Sequence, residues 1–431
     1  MSRQHEPVAI IGAGKMGLPI ACHLAGRGLR VEACDIDSAL VATINRGECP
    51  FDEPGLAELL ARVRRENRLE ATTQTAEAIR RAGTVIVLVP VLVTADKRAE
   101  LNAIEAVTFL IGENIQPGAL VCYETTLPVG TTRRLAVTLE AGGLRAGTNF
   151  HVAFSPERVK SRHVLERLGL TPKVVGGLTP ECASVATEFY EQGLGAPVIN
   201  AGTLEAAEFT KLADMIYRDV NIGLANELAR YAEVLGVDFD SVRQAANTSG
   251  EAAILSPGIG VGGHCTPVYP WFAIRDAEQR GLALPMATLG RTVNDGQAQW
   301  TLDRLEAAWK PLAGQTVLIL GLGFRPGVKE HVCSPAFLLR GELLRRGARV
   351  LLHDPLYSAE EIRAHGFEPA DAPGTSGAKA LVLNTAHAEY AELKFDALAR
   401  TGVEAVLDGR NLWSAQTVRG AGLVYVGIGR A

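Results

Sequence analysis

The sequence lacks closely spaced cysteines. Its seven cysteines are scattered, odd in number and free of any CxxC spacing. That fits a reducing cytoplasm, which leaves a thiol free for chemistry, better than a disulfide framework or a zinc site. Charge excess is missing too. A formal net charge of -5 over 431 residues offers no surface for nucleic acid or anionic membrane. No apolar run approaches the ~20 residues of a membrane span. Met1 to Pro7 is short and polar, and the apolar run after it reads as a strand rather than a signal peptide. Short-period repeats and low-complexity tracts are absent, and no metal site is expected. What remains is an ordinary globular composition, 47% apolar and 21% charged, in a chain too long for one domain.

The patterning alternates strand and helix. Val8-Ala9-Ile10-Ile11 reads as a buried strand, followed by Gly12-Ala13-Gly14-Lys15-Met16-Gly17, a helical pattern from Leu18 to Gly26, and a strand Arg30 to Cys34 ending at Asp35. That is the order of a βαβ unit. Val85 to Val89, Leu120 to Tyr123 and His151 to Phe154 read as further strands. From Thr203 to Leu235 there is no proline, and Phe209, Leu212, Ile216, Val220, Leu224 and Leu228 recur at helical spacing, which predicts one long helix. A loop rich in glycine and proline follows over Ser256 to Pro270. Gln315 to Leu320, Gly321-Leu322-Gly323, a helix near Ser334 to Arg346 and Arg349 to His353 ending at Asp354 form a second strand-turn-helix-strand unit, with later strands at Ala380 to Leu383 and Ala405 to Leu407. The fold class is α/β: two doubly wound Rossmann-like domains, 1–200 and 312–431, joined by a helical middle domain, 201–305, with a long central helix that suggests a homodimer.

The chemistry starts at the first glycine turn. Gly12 permits the tight turn, Gly14 lets backbone approach a pyrophosphate, and Gly17 lets helix pack on strand. The helix N-terminus faces the phosphates. Asp35 accepts the ribose hydroxyls and repels a 2′-phosphate, so the expected cofactor is NAD. The second glycine turn is less complete and is read as a tight turn without dinucleotide; if it binds anything, another nucleotide fits. Cys265 lies in Pro257-Gly258-Ile259-Gly260-Val261-Gly262-Gly263-His264-Cys265-Thr266-Pro267, where glycines let backbone pass close to a ligand. Its neighbour His264 is read as structural, because adjacent side chains diverge. Glu157 and Thr126 each follow a predicted strand, where active-site loops lie, and Lys211 lies on the long helix.

Taken together, these motifs resemble the UDP-glucose/GDP-mannose dehydrogenase family along nearly the whole chain. The resemblance is carried by the glycine turn with Asp35, Val89-Pro90, Glu124 to Thr132, Ser155-Pro156-Glu157-Arg158-Val159, Lys211-Leu212, Arg218-Asp219-Val220-Asn221-Ile222, Gly262-Gly263-His264-Cys265 and Asp408-Gly409-Arg410-Asn411. The Arg-Asp-Val-Asn-Ile and Gly-Gly-His-Cys forms are most similar to the UDP-N-acetylhexosamine branch. The resemblance implies a four-electron oxidation of a UDP-sugar, with Cys265 carrying a thiohemiacetal and then a thioester. It implies Lys211 for the oxyanion, Glu157 for water activation and Thr126 for holding a water near nicotinamide. The cofactor set is then Gly12, Gly14, Lys15, Met16, Gly17, Asp35, Pro90 and Thr126. The substrate set is Arg158, Val159, Lys211, Arg218, Gly262 and Arg325, and the last domain is expected to hold the nucleotide and complete the site.

Four departures stand out. Where the family has an Asn four residues after the lysine, this chain has Met215. The Asp four residues after the cysteine is Tyr269. The Arg before Ser-Pro is Val332, and Thr-Asp-His is Thr385-Ala386-His387. Loss of one oxyanion donor costs about 100- to 1,000-fold in rate. Two other readings therefore stay open: a two-electron variant acting on another nucleotide sugar, and a binding protein without turnover. The β-hydroxyacid dehydrogenase class, suggested by Gly14-Lys15-Met16-Gly17-Leu18-Pro19, is disfavoured by the second nucleotide-like domain and the Cys265 loop.

Overall fold

Strand β1, Val8–Ile11, consists of four buried apolar residues, a run suited to a strand covered on both faces. In the computed structural model, which describes residues 5–430, β1 lies inside an eight-stranded sheet. Met1 to Gln4, part of the polar N-terminal segment, and Ala431 lie outside the described residues. The chain divides into two compact units, one up to Asp214 and one from Met215 onward.

The first unit contains β1, β2 (Val31–Cys34), β3 (Leu69–Thr72), β4 (Thr84–Val87), β5 (Leu92–Val93), β6 (Ala99–Glu100), β7 (Leu120–Tyr123), β8 (His151–Phe154), β9 (Lys173–Gly177) and β10 (Val198–Thr203). The sheet order is β10-β9-β8-β7-β4-β1-β2-β3, with β5 and β6 paired separately as a hairpin. Neighbours run parallel except β8 and β9, which are antiparallel. Strand order reverses between β1 and β4, the place where doubly wound sheets leave a crevice at the carboxyl edge. The fourth strand is shorter than expected: the Leu88 N–H donates to Ile11 at 2.8 Å, and the ladder ends at Val87.

The long helix spans Leu204–Leu235, 32 residues. Its existence matches the periodicity, but the buried side differs. Phe209 and Leu224 are about half exposed, whereas Glu208, Lys211, Asp219 and Asn226 are buried along with Leu212, Ala225 and Ala229. The buried side carries small and polar residues that make specific hydrogen bonds, and an apolar stripe does not reveal such a face.

In the second unit, helices Phe239–Ala246, Tyr269–Gln279, Pro285–Asp295 and Gln297–Ala308 precede β11 (Thr316–Leu320), β12 (Arg349–His353), β13 (Glu368–Pro369), β14 (Ala380–Leu383), β15 (Ala405–Asp408) and β16 (Val424–Gly427). The sheet is parallel in the order β13-β12-β11-β14-β15-β16. Alternate residues feed two cores. Val317, Ile319, Leu352 and Val382 pack on one face, and Leu318, Leu320, Leu381 and Val406 on the other. Each such side chain contributes roughly 1.5–3 kcal/mol by leaving water. Among the described residues, no helix is long and apolar enough to cross a membrane.

Candidate active site

In the first unit, the parallel strands bring their carboxyl ends to one edge. The Gly12 turn follows β1, Asp35 follows β2, Pro90 follows β4, Thr126 follows β7 and Glu157 follows β8. Gly12 has a φ of +102°, and a Cβ there would lie 2.9 Å from the Leu88 carbonyl oxygen. A Cβ on Gly17 would lie 1.8 Å from the Gly12 oxygen, so only glycine lets this helix begin against the turn. A Cβ on Gly14 would meet nothing within 4 Å, which leaves the space a pyrophosphate needs. Asp35 closes the turn: one oxygen accepts the Ala13 N–H at 2.9 Å and the other accepts the Asp37 N–H at 3.0 Å. These residues fit a dinucleotide. Lys15 and Pro90 are exposed at this edge, and Met16 is half-buried.

Thr126 is buried. Its loop is held by Thr125, whose hydroxyl donates to the Val89 carbonyl at 2.7 Å. Farther along, Glu208 accepts the Gly130 and Thr132 N–H groups at 2.6 and 2.8 Å. Lys211, one turn after Glu208 on the long helix, is 6% exposed, and its side chain forms no hydrogen bond or ion pair with another described residue.

Glu157 sits in a network. One of its oxygens accepts the N–H groups of Arg158 and Val159 at 2.6 and 2.8 Å. The other accepts from the Lys173 ammonium at 3.2 Å. Lys173 also donates to Glu124 at 2.6 Å, and the Tyr190 hydroxyl donates to the second Glu124 oxygen at 2.7 Å. Burial alone would raise the Glu157 carboxyl, but Lys173 and the two N–H groups outweigh it and hold the pKa below the ordinary value. Burial prevails at Glu124, whose carboxyl is raised. The backbone N–H groups of Arg158 and Val159 are thus committed to Glu157, and the Arg158 guanidinium donates to the Pro172 carbonyl at 3.3 Å.

In the second unit, Cys265 is a free, half-buried cysteine. Its carbonyl accepts the N–H groups of Val268 and Tyr269 at 3.2 and 2.9 Å, so the residue lies one turn before helix Tyr269–Gln279. Adjacent His264 is exposed. A Cβ on Gly262 would lie 2.4 Å from Phe324 Cβ, and the Gly263 N–H donates to the Val332 carbonyl at 2.8 Å. The loop is anchored upstream as well. The Gly258 N–H donates to Asn226 at 2.9 Å and its carbonyl accepts from Gln297 at 2.8 Å. Asn226 is bonded to Asn294, Asn294 to Asp219, and Asp219 to Arg291 at 2.6 Å, all buried. Arg218 is half-buried, Met215 is buried and Tyr269 stacks at a tilt 5.4 Å from Phe272.

The second glycine turn is occupied by its own carboxylate. One Asp354 oxygen accepts the N–H groups of Leu322 and Gly323 at 2.6 and 3.1 Å, and His387 Nε2 lies 3.3 Å from the same oxygen. Arg325 and Arg410 follow β11 and β15 at the carboxyl edge of this sheet. The Arg410 Nε donates to the Asn384 carbonyl at 2.6 Å. Burial depresses its pKa to about 10, which leaves it cationic at neutral pH.

Glu124, Lys173, Tyr190 and Glu208 were not identified from the sequence. Each is a single polar residue whose partner is distant along the chain, and spacing carries no signal for such pairs. Among the described residues, no group of three or more His, Cys, Asp or Glu is placed to hold a metal ion.

Sequence profiles of the UDP-glucose/GDP-mannose dehydrogenase family match the chain in three parts: its NAD binding domain over residues 6–194, its central domain over 205–296 and its UDP binding domain over 318–415. An NDP-N-acetyl-D-galactosaminuronic acid dehydrogenase of Ralstonia solanacearum is 32% identical over 419 residues, covering 95% of this chain and 96% of that protein. A UDP-N-acetyl-D-mannosamine dehydrogenase of Pyrococcus horikoshii is 30% identical over 432 residues, covering 98% and 99%. The solved structure of a UDP-D-ManNAc dehydrogenase from Pyrococcus horikoshii superposes with a TM-score of 0.89 at 29% identity, covering 98% of this chain and 99% of that one. A UDP-glucose dehydrogenase from Pyrobaculum islandicum also gives a TM-score of 0.89, at 27% identity and 98% coverage of both chains. The chain therefore belongs to the UDP-glucose/GDP-mannose dehydrogenase family of NAD-dependent oxidoreductases.

Proposed function

We propose that this enzyme oxidises the C6 hydroxymethyl group of a UDP-sugar of the N-acetylhexosamine class to a carboxylate, through a thioester on Cys265. The observation that carries the reading is Lys211, a buried lysine without a partner among the described residues. Its ammonium is committed to no described side chain and is left to meet an anion formed in the reaction. The named substrates of the Ralstonia and Pyrococcus relatives support the sugar class.

Bound NAD supplies a hydride acceptor, used twice. The remaining work belongs to the chain. Cys265 adds its sulfur to the C6 aldehyde to give a thiohemiacetal, whose oxyanion Lys211 stabilises, and after the second oxidation it holds a thioester. Sulfur suits both roles, as nucleophile and as leaving group. Glu157 then takes a proton from water as the oxygen–carbon bond forms. The carbon–sulfur bond breaks and Cys265 leaves as thiolate. Thr126 holds a water near the reacting carbon. The balance is one hydroxymethyl, two NAD and one water giving one carboxylate, two NADH and three protons.

Gly12, Gly14, Lys15, Met16, Gly17, Asp35 and Pro90 bind the cofactor. Arg158, Val159, Arg218, Gly262 and Arg325 bind the substrate, with Arg410 facing its phosphates. Domains divide at 1–200, 201–305 and 312–431. The enzyme works in the cytoplasm, where its cysteines stay reduced. It is a homodimer: Tyr217, Leu224 and Tyr231, exposed at seven-residue intervals on the long helix, give one apolar stripe for a second copy. A panel of nucleotide sugars with NAD, followed by absorbance of NADH and by product mass, tests the activity. The uronic acid of a UDP-N-acetylhexosamine is expected. Binding without NADH formation would support a binding protein without turnover and contradict this reading.

A further inference from the structure

Strand β9 runs antiparallel to β8 in an otherwise parallel sheet, with Ala153 opposite Gly177 and Phe154 opposite Gly176. Continued past the end of β8, that register sets residue 157 opposite residue 173. The reversal therefore brings the first residue of β9 to the same edge as Glu157, and the ammonium of Lys173 lies 3.2 Å from it.

We infer that Lys173 is a positioning residue that keeps Glu157 an oriented anion for thioester hydrolysis, with Glu124 and Tyr190 in turn fixing Lys173. The inference rests on the reading that Glu157 activates water. Three observations carry it. Lys173 and Glu124 are buried, and the Glu157 side chain is 12% exposed, so water screens these charges weakly. The lysine is fixed on two further sides, by Glu124 at 2.6 Å and by the Tyr190 ring, whose centroid lies 5.2 Å from the ammonium. Glu157 meanwhile accepts two backbone N–H groups through one oxygen, so the lysine controls the other.

One ammonium serves two carboxylates here, and the share is unequal. Glu157 has two additional N–H donors and its carboxyl is held below the ordinary value, whereas burial raises that of Glu124. The groups facing Glu157 are Lys173 from β9, Glu124 from the loop after β7 and Arg158 beside it. Tyr190, from helix Pro180–Leu194, and Cys122 on β7 lie behind Glu124 and Lys173. Without the lysine, two carboxylates share a buried pocket with no cation, and both pKa values rise.

The test is single-turnover acid formation by chemical quench across pH 5 to 9, with a UDP-N-acetylhexosamine and NAD. The proteins are wild type, Lys173→Met, Lys173→Arg and the double variant Lys173→Met with Glu124→Gln, which removes the surplus carboxylate if the single variant fails to fold. For the folded methionine variants, the acid limb, which in wild type lies below the ordinary carboxylate range, is expected to rise into the measured range, and the rate at pH 5 to fall about tenfold below wild type while the rate at pH 9 changes less. KM is expected to change little, and Lys173→Arg to restore the wild-type limb. An unmoved limb in a folded methionine variant would overturn the inference. Glu157→Gln, measured alongside, separates the two levels. Wild-type acid formation by Glu157→Gln removes the reading of Glu157 itself. Loss of acid formation there, with an unmoved limb in the lysine variants, removes only the role given to Lys173.

Discussion

The carboxylate of Glu208 accepts two hydrogen bonds from Thr132, from its backbone N–H at 2.8 Å and from its hydroxyl at 2.6 Å. The other Glu208 oxygen takes the Gly130 N–H at 2.6 Å. These bonds tie the start of helix Thr131–Thr138, and with it the loop that carries Thr126, to the long helix one turn before Lys211. Two residues assigned to the chemistry are thereby referenced to one buried carboxylate.

Burial outweighs these bonds and raises the Glu208 carboxyl to about 7. The folded protein therefore binds this proton more tightly than the unfolded chain does. Stability from this group is fully present below the ordinary carboxylate range and is lost as pH rises to about 7, by an amount on the order of 3 kcal/mol. Glu208→Gln cannot ionise, so its unfolding free energy should gain on wild type by that order between pH 5 and 8. A constant offset across this range, in urea unfolding at several pH values, would contradict the assignment.

Gly262→Ala would bring a methyl group to 2.4 Å from Phe324 Cβ. Overpacking of this kind costs about 1–3 kcal/mol, and here the strain falls three residues from Cys265. Lower stability and lower turnover are both expected. Adding Phe324→Gly, which removes the Cβ that the new methyl meets, should return part of the activity. Full activity in Gly262→Ala alone would show that the loop has room to spare.

On the proposed reading, the Asp35 carboxylate, which follows β2 beside the glycine turn, favours NAD over NADP by repelling a 2′-phosphate. In Asp35→Ser the ratio of kcat/KM for NAD to that for NADP should fall by about tenfold or more. An unchanged ratio in steady-state kinetics places the discrimination elsewhere.

Met215 cannot donate a hydrogen bond and Tyr269 is a poor base at neutral pH. If these residues only slow the chemistry, Met215→Asn with Tyr269→Asp should accelerate acid formation from the native substrate. If they shape the pocket for a particular sugar, activity on that sugar should fall and preference should shift toward a common UDP-sugar. Neither change, in rates across a substrate panel, would refute both accounts.

Much of this architecture was legible because it is written in local spacing. Gly12, Gly14 and Gly17 after a buried strand, with Asp35 after the next, announce the first Rossmann unit, and the geometry of Gly12 and Gly17 shows why no other residue fits. Long-range pairing was not legible. Strand β10 has mostly exposed or half-buried residues, and β3 alternates buried with exposed ones, so neither forms a buried run. The helix Leu204–Leu235 was evident as a helix, but its buried side is marked by Lys211, Asp219 and Asn226 rather than by Phe209 and Leu224. The Glu124–Lys173–Glu157 cluster depends on β9 reversing its direction, and a strand's direction leaves no trace in its own residues.

The central claim is a four-electron oxidation that passes through Cys265. Its most direct test counts NADH formed per sugar consumed, with the product identified by mass, in wild type and in Cys265→Ala. The account predicts two NADH and one carboxylate per sugar in wild type, and no carboxylate from the variant. One NADH per sugar with an aldehyde product, or undiminished acid formation by Cys265→Ala, would contradict it.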